Sequence, residues 1–385
     1  MSLEPHRPAA PGPARPAASA FTARSLHAPL HRTGQGSLGK MTGSLRVCFV
    51  LAVALAVGTC LDVPKVHLSS GGDMPIVGLG TWQVTDDQEL ETALDAALQA
   101  GYRHIDTATI YRNEHLIGKV LSKWLKEGKV KREELFITTK LPVYGMRAAD
   151  VPDFLQQSLT KLQVDYVDLY LIHMPVGVQR HAYDMGRISE NGTDLTTDHV
   201  AIWKAMEAEH KAGRAKALGV SNFNETQIER LLKQAVPPSN LQVELHLYHQ
   251  QRPLVDFCKQ HGVSVTAYSP LGSPGSKWLS LLSGKELPDL LGLPVVKEIA
   301  AKHNKTSAQV LLKHTVQRGI IVIPKSSKPN RIQQNIDIFD FTLDDSDMAK
   351  LDAQDKGLDG KLFDMKFIGG SGKHPEYPWT ALLKH

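Results

Sequence analysis

Short apolar runs alternate with amphipathic stretches along most of this chain, recurring at intervals of roughly 30–40 residues. The runs IVGLG (76–80), YRHID (102–106), LFITT (135–139), VDLYLIH (167–173), ALGVS (217–221), LQVEL (241–245), VSVTAY (263–268) and IIVIP (320–324) read as eight strands. Between them, stretches such as 86–101 and 226–235 repeat apolar residues at helical spacing, and Gly101 stands where a helix stop belongs. Ahead of the series, KVHLSSGGDMP sets a Ser-Ser-Gly-Gly turn between two short apolar segments, which predicts a hairpin. Eight strands alternating with helices favour an α/β fold, a (β/α)8 TIM barrel. A doubly wound sheet is the alternative. It is weakened because the GLG at 78–80 lacks the third glycine of a dinucleotide-binding turn and runs into Thr81-Trp82.

The alternation does not reach the N-terminus. Residues 1–40 are rich in Ala, Pro, Ser and Arg without apolar periodicity, and are expected to be a disordered leader. From Met41 the order is basic (Arg46), apolar (47–57), then small (Gly58, Thr59, Cys60), which predicts a signal peptide over 41–61. Eleven apolar residues are too few to span a bilayer. The alternatives are an uncleaved anchor, or a mitochondrial leader if Met1 is the true start. The barrel domain is then 62–385, and the expected route is the secretory pathway or export, with the cytoplasm as the alternative.

Charge and cysteine content change the picture in two ways. Of the formal net charge of +4, residues 1–40 carry +4 and 41–61 carry +1, so the remainder sums to −1. A near-neutral body argues against nucleic acid as a partner. Of three cysteines, Cys258 alone lies in the body, so no intrachain disulfide can form there. Asn191, Asn224 and Asn304 head glycosylation sequons, relevant only if the chain enters the secretory pathway.

The chemistry-bearing residues fall at consistent places. Asp106, Lys140, His173, Ser221 with Asn222, Gln242, Tyr268 and Lys325 all stand at or just past the C-terminal ends of apolar runs. In a barrel those ends share the face on which active sites are built. HIDTATIYRNE places Asp106 and Tyr111 five apart. A carbonyl reduced by hydride needs a proton delivered to its oxygen, and tyrosine, with a pKa of about 10, needs a nearby cation to give one. Lys140 is the candidate cation, Asp106 its partner, and His173 the group that directs the carbonyl. Taken singly, each has a blander reading: a helix cap for Asp106, a wall residue for Tyr111, a solvated charge for Lys140, a core histidine for His173.

Together with these residues, GYRHIDTATIYRNE, LQVDYVDLYLIHMP and IPKSSKPNRIQQN (323–335) make the chain from about Lys65 onward resemble an aldo-keto reductase. The resemblance implies a barrel closed at the bottom by the N-terminal hairpin, long loops on the C-terminal face, and NADPH bound without a Rossmann fold. It makes Asp106, Tyr111, Lys140 and His173 the catalytic tetrad, with Tyr111 the general acid. Ser221, Asn222 and Gln242 match carboxamide contacts, and Tyr268 the ring stacked on nicotinamide. Ser269, Leu271 and Ser273 match further cofactor contacts, with Gly272 letting backbone approach the pyrophosphate. Lys325, Ser326 and Arg331 match a clamp on the adenosine 2′-phosphate, and Gln334 and Asn335 fall at adenine contacts. A phosphate, two cations and a hydroxyl suit one another, which favours NADPH over NADH.

The substrate side departs from the pattern. Trp82 is kept as an aromatic wall, but Pro142 and Met174 stand where many relatives carry tryptophan, and Leu247 and Gln334 also differ. Met174 beside His173 is expected to line a wider, adaptable pocket that tolerates bulky or steroid-like carbonyls. The segments 177–198, 274–293 and 363–385 have no readable pattern, and Tyr377 and Trp379 either line the pocket or pack the tail down. A small-molecule carbonyl substrate and a monomer are expected, with no membrane contact after signal cleavage. A cofactor-binding protein without activity is the main alternative, disfavoured by Tyr111 and Lys140. A double-bond reductase is disfavoured by His173, where that class has glutamate. Glu244 and His246 share a strand face but lack a third metal ligand at convincing spacing.

Overall fold

The computed structural model describes residues 63–384 apart from 85, 185–186, 189–191, 277–278, 282–285 and 366–368. The leader, the signal segment and Asn191 lie outside the described residues. Strand β1 (Lys65–His67) pairs antiparallel with β2 (Asp73–Pro75). The turn between them needs Gly71 and Gly72, both at φ +92°, a region that strains any residue with a Cβ.

The eight predicted strands all form: β3 (Gly78–Gly80), β4 (His104–Asp106), β5 (Phe136–Leu141) and β6 (Val167–Ile172) come first. After a short antiparallel pair, β7 (Tyr183–Asp184) and β8 (Arg187–Ile188), come β9 (Ala215–Ser221), β10 (Asn240–Glu244), β11 (Ser264–Tyr268) and β12 (Ile321–Val322). Setting aside the short pair, β3 to β12 lie side by side in chain order, every ladder parallel. The last strand reaches the first: Val322 N donates to Ile76 O at 2.9 Å and Gly80 N to Pro324 O at 3.2 Å. That seam closes a (β/α)8 barrel. A Cβ at Gly80 would stand 2.7 Å from Ile323 O, so the seam requires glycine there.

The helices follow from the same pattern. Helix Asp87–Gln99 starts where the Asp86 carboxylate accepts from Glu89 N at 2.7 Å. It buries Leu90, Ala93, Leu94, Ala97 and Leu98 at three- and four-residue spacing, and ends before Gly101 at φ +98°. Each leucine so buried stabilises by about 1.5–3 kcal/mol against leaving it exposed. The helix expected over 226–235 runs Glu225–Leu232, because Pro237 and Pro238 draw the following chain into extended backbone. Strand β5 is buried at all six positions, as expected of a parallel strand covered on both faces.

Candidate active site

Asp106 ends β4, and a short 3-10 turn, Thr109–Tyr111, carries Tyr111 back over the barrel mouth. Lys140 sits one residue before the end of β5, and His173 follows the end of β6. The structure brings these four together. Lys140 Nζ donates to Asp106 Oδ1 at 2.6 Å, to Thr107 O at 2.9 Å and to the Tyr111 hydroxyl at 3.4 Å. The Tyr111 and His173 rings meet edge to face at 5.7 Å. Lys140 and Asp106 are almost wholly buried, at 0% and 2% exposed. A buried ion pair of this kind is stable only when every donor and acceptor is used. Gln242 completes it, donating from Nε2 to Asp106 Oδ2 at 2.7 Å.

A polar ring that the sequence did not reveal holds the loop beneath Tyr111. Thr81 Oγ1 donates to Asp106 O, Asn113 Nδ2 to Thr81 O, and Thr107 Oγ1 to Asn113 Oδ1. The RNE that ends the first motif was its signal, since a buried asparagine needs partners.

Burial sets the protonation states. It pushes the Tyr111 hydroxyl well above the ordinary tyrosine value, with the Asp106 charge second. The expectation that Lys140 would lower it is corrected. The lysine's charge is matched by Asp106 at 2.6 Å, and burial holds Lys140 itself below its usual value. Burial also holds His173 well below the ordinary histidine range, with Lys140 adding to the effect, so the imidazole is neutral at pH 7. His173 Nδ1 is buried without a hydrogen-bond partner.

The candidate cofactor residues continue around the same mouth. Asn222, at φ +65° just past β9, donates to Ser221 Oγ, His173 O and Met174 Sδ, and accepts from the Tyr268 hydroxyl at 2.8 Å. Beyond β11 the backbone turns through Ser269, Gly272 and Ser273, all at positive φ, with Ser273 Oγ donating to Ser269 Oγ and Leu271 half-buried against the core. Past β12, Lys325 and Arg331 are exposed and have no ion pair among the described residues. Ser326 Oγ accepts from Lys328 N at 3.1 Å at the start of helix Pro329–Ile336, on which Gln334 is exposed and Asn335 buried. Two unmatched cations and a hydroxyl at a helix start fit a phosphate.

On the substrate side, Phe363 packs against both Trp82 (5.5 Å between ring centroids) and Tyr268 (5.4 Å). Sequence reasoning passed over Phe363. It is fixed by Glu244, whose carboxylate accepts from Leu362 N, Phe363 N, Lys361 Nζ and His246 Nε2. That set fills the carboxylate and explains the shared strand face of Glu244 and His246 without a metal. Tyr377 is buried and its hydroxyl donates to Asp364 O at 2.6 Å, while Trp379 stacks under Lys361 at 3.9 Å. Both rings pack the tail down. They join Val143, Val176 and Met365 in a small cluster against which half-buried Met174 rests. Of the sequons, Asn224 is used as a helix cap, accepting from Gln227 N at 3.0 Å, and Asn304 is exposed at a helix end.

The chain is similar to known proteins in sequence and in fold. The profile described as Aldo/keto reductase family matches residues 76–356. Aldo-keto reductase family 1 member A1 of Mus musculus is 42% identical over 327 residues, 83% of this chain and 99% of that protein. The Homo sapiens protein of the same name is 42% identical over 323 residues, 82% of this chain and 98% of its own length. Among solved structures, the aldose reductase of Schistosoma japonicum superposes with a TM-score of 0.73 at 37% identity, covering 82% of this chain and 98% of that one. A Bombyx mori aldo-keto reductase in complex with NADP also gives 0.73, at 36% identity, covering 82% and 99%.

Proposed function

Since the chain belongs to the aldo/keto reductase family and is an NADPH-dependent enzyme that reduces carbonyl compounds, we propose that Tyr111 is its general acid. The observation that carries this reading is the buried chain from Asp106 through Lys140 to the Tyr111 hydroxyl. When bound, NADPH would supply the hydride that the carbonyl carbon receives. The neutral His173 ring holds the carbonyl oxygen near Tyr111, and Tyr111 releases its proton to that oxygen. The charge left on the phenolate faces the Lys140 ammonium, which Asp106 and Gln242 hold in place. The raised pKa of Tyr111 keeps its proton on until the substrate oxygen becomes the stronger base.

Lys325, Ser326 and Arg331 would hold the 2′-phosphate, and Gln334 and Asn335 the adenine. Ser269, Leu271 and Ser273 would follow the pyrophosphate, and Tyr268 would face the nicotinamide. Ser221, Asn222 and Gln242 would take the carboxamide, for which Asn222 exchanges its bond with the Tyr268 hydroxyl. Replacing Tyr111 with Phe tests the reading. Turnover should be lost while NADPH still binds, and wild-type turnover in that variant would end the proposal.

The same site favours wide carbonyl substrates, with Trp82, His173 and Met174 as its walls. Pro142 and Met174 take less of the mouth than two indole rings would, and the Met174 thioether adapts in shape. A rigid multi-ring ketone should therefore rival a small aldehyde in kcat/KM, and a large advantage for the small aldehyde would contradict this. We also propose that the chain enters the secretory pathway through 41–61 and works as a monomer. N-terminal sequencing of the mature protein and its sedimentation mass check these two points.

A further inference from the structure

A cavity of about 430 Å³ opens beside helices Glu114–Lys126 and Val151–Leu162. Arg112, His115, Lys161 and Arg180 line it together with Tyr144 and Phe154. None of these residues takes part in the chemistry above. Among the described residues, three permanent cations and one carboxylate line it, and that carboxylate, Glu114, is 1% exposed. Arg180 is shared with Asp150 at 3.1 Å, but the Lys161 ammonium makes no ion pair or hydrogen bond among the described residues. One Glu114 oxygen accepts from Thr139 Oγ1 at 2.7 Å, and the other is buried without a hydrogen-bond partner. Burial raises the Glu114 pKa, and the Lys161 charge opposes that rise.

The pocket also has an aromatic wall. Tyr144 and Phe154 meet edge to face at 5.5 Å, and the Arg180 guanidinium lies over Phe154 at 5.1 Å. Such a wall offers a flat ring a stacking surface, while planar guanidinium groups and an ammonium receive an anion. A cavity of this size suits a small ligand, not a macromolecular segment. Its floor touches the catalytic turn. Thr109 and Arg112 flank Tyr111, and Thr109 Oγ1 donates to Lys140 O at 3.2 Å.

We propose that this pocket is a second ligand site, for a small aromatic anion such as an aryl carboxylate or aryl phosphate, and that its occupant alters turnover at Tyr111. The full chain saturated with NADPH, titrated calorimetrically with 2-naphthoate and 1-naphthyl phosphate, tests it, with neutral 2-naphthol as the comparison. Saturable binding of both anions is expected, together with a change in kcat that excess carbonyl substrate does not reverse. The double substitution Lys161→Gln and Arg180→Gln should weaken both anions about tenfold or more. The variant's kcat and KM without either probe should stay unchanged. 2-Naphthol should bind at least about tenfold more weakly than the anions. The proposal falls if neither anion binds saturably, if the double variant binds them as tightly as wild type, or if carbonyl substrate displaces them. It falls equally if 2-naphthol binds as well as the anions.

Discussion

Among the described residues, two lysine–carboxylate pairs are almost wholly buried, and they do opposite things. Lys140 and Asp106 lie 2.6 Å apart at 0% and 2% exposure, and Lys361 and Glu244 lie 3.1 Å apart at 1% and 0%. Around Glu244 the bonding is closed: two backbone N–H groups, a histidine and the lysine occupy the carboxylate, and Trp379 covers the ammonium. Around Lys140 one bond goes to a group that can itself give up a proton, the Tyr111 hydroxyl at 3.4 Å. The first pair pins a tail and the second serves a reaction. Burial and charge are common to both, so the bond to an ionisable hydroxyl separates catalysis from architecture.

Replacing each lysine with methionine puts that contrast at risk. Lys140→Met should lower kcat by about 10²–10⁴ in the folded protein, measured as NADPH consumption at saturating substrate. Lys361→Met should cost about 3–5 kcal/mol of stability by leaving Glu244 buried and uncompensated, read by denaturant unfolding. Its kcat per folded molecule should stay within a few-fold of wild type. An equal loss of kcat in both variants would erase the distinction. Gln242→Leu sharpens it on a smaller scale. Removing one charge-assisted bond to Asp106 should cost about 1.5–3 kcal/mol and lower kcat without abolishing it.

The tail supplies a test by pH. Arg230 pairs with Glu376 through both carboxylate oxygens, and with Gln227 it holds that carboxyl down at about 2. A depressed carboxyl contributes stability above its unfolded value of about 4.3, and loses it as pH falls toward the folded value. Glu376→Gln should therefore flatten the stability profile between about pH 4.5 and 2 by about 1–2 kcal/mol, after allowance for partial exposure. The smallest effect concerns a cap remote from both pairs. The Asp198 carboxylate accepts from Val200 N and Ala201 N, and Asp198→Ala should cost about 1 kcal/mol with kinetics unchanged.

What the chain reveals in one dimension follows from where each residue's partners lie. Asp106, Lys140 and His173 are legible because each ends a run of apolar residues, and in a parallel barrel all such ends face one way. The strands themselves are legible because both faces are buried. Glu244 and His246 were visible as a pair, but Lys361 stands 117 residues from Glu244, and nothing near it in sequence asks for a carboxylate. Phe363 was missed for the same reason, since its place depends on Glu244 receiving the amides beside it. The direction of the Tyr111 pKa was misread because proximity to Lys140 could be inferred from spacing, whereas the depth of burial could not.

The seam where Val322 meets Ile76 fixes an order of events in folding. Neighbouring strands elsewhere in the barrel close short loops, but this contact must wait for nearly the whole barrel to be laid down, and its loop-closure entropy is the largest of the set. Lys325 follows the closing strand by three residues. The proposed phosphate clamp therefore comes into being only as the ring closes, and NADPH would select finished molecules over open ones, adding its binding free energy to the last step of folding.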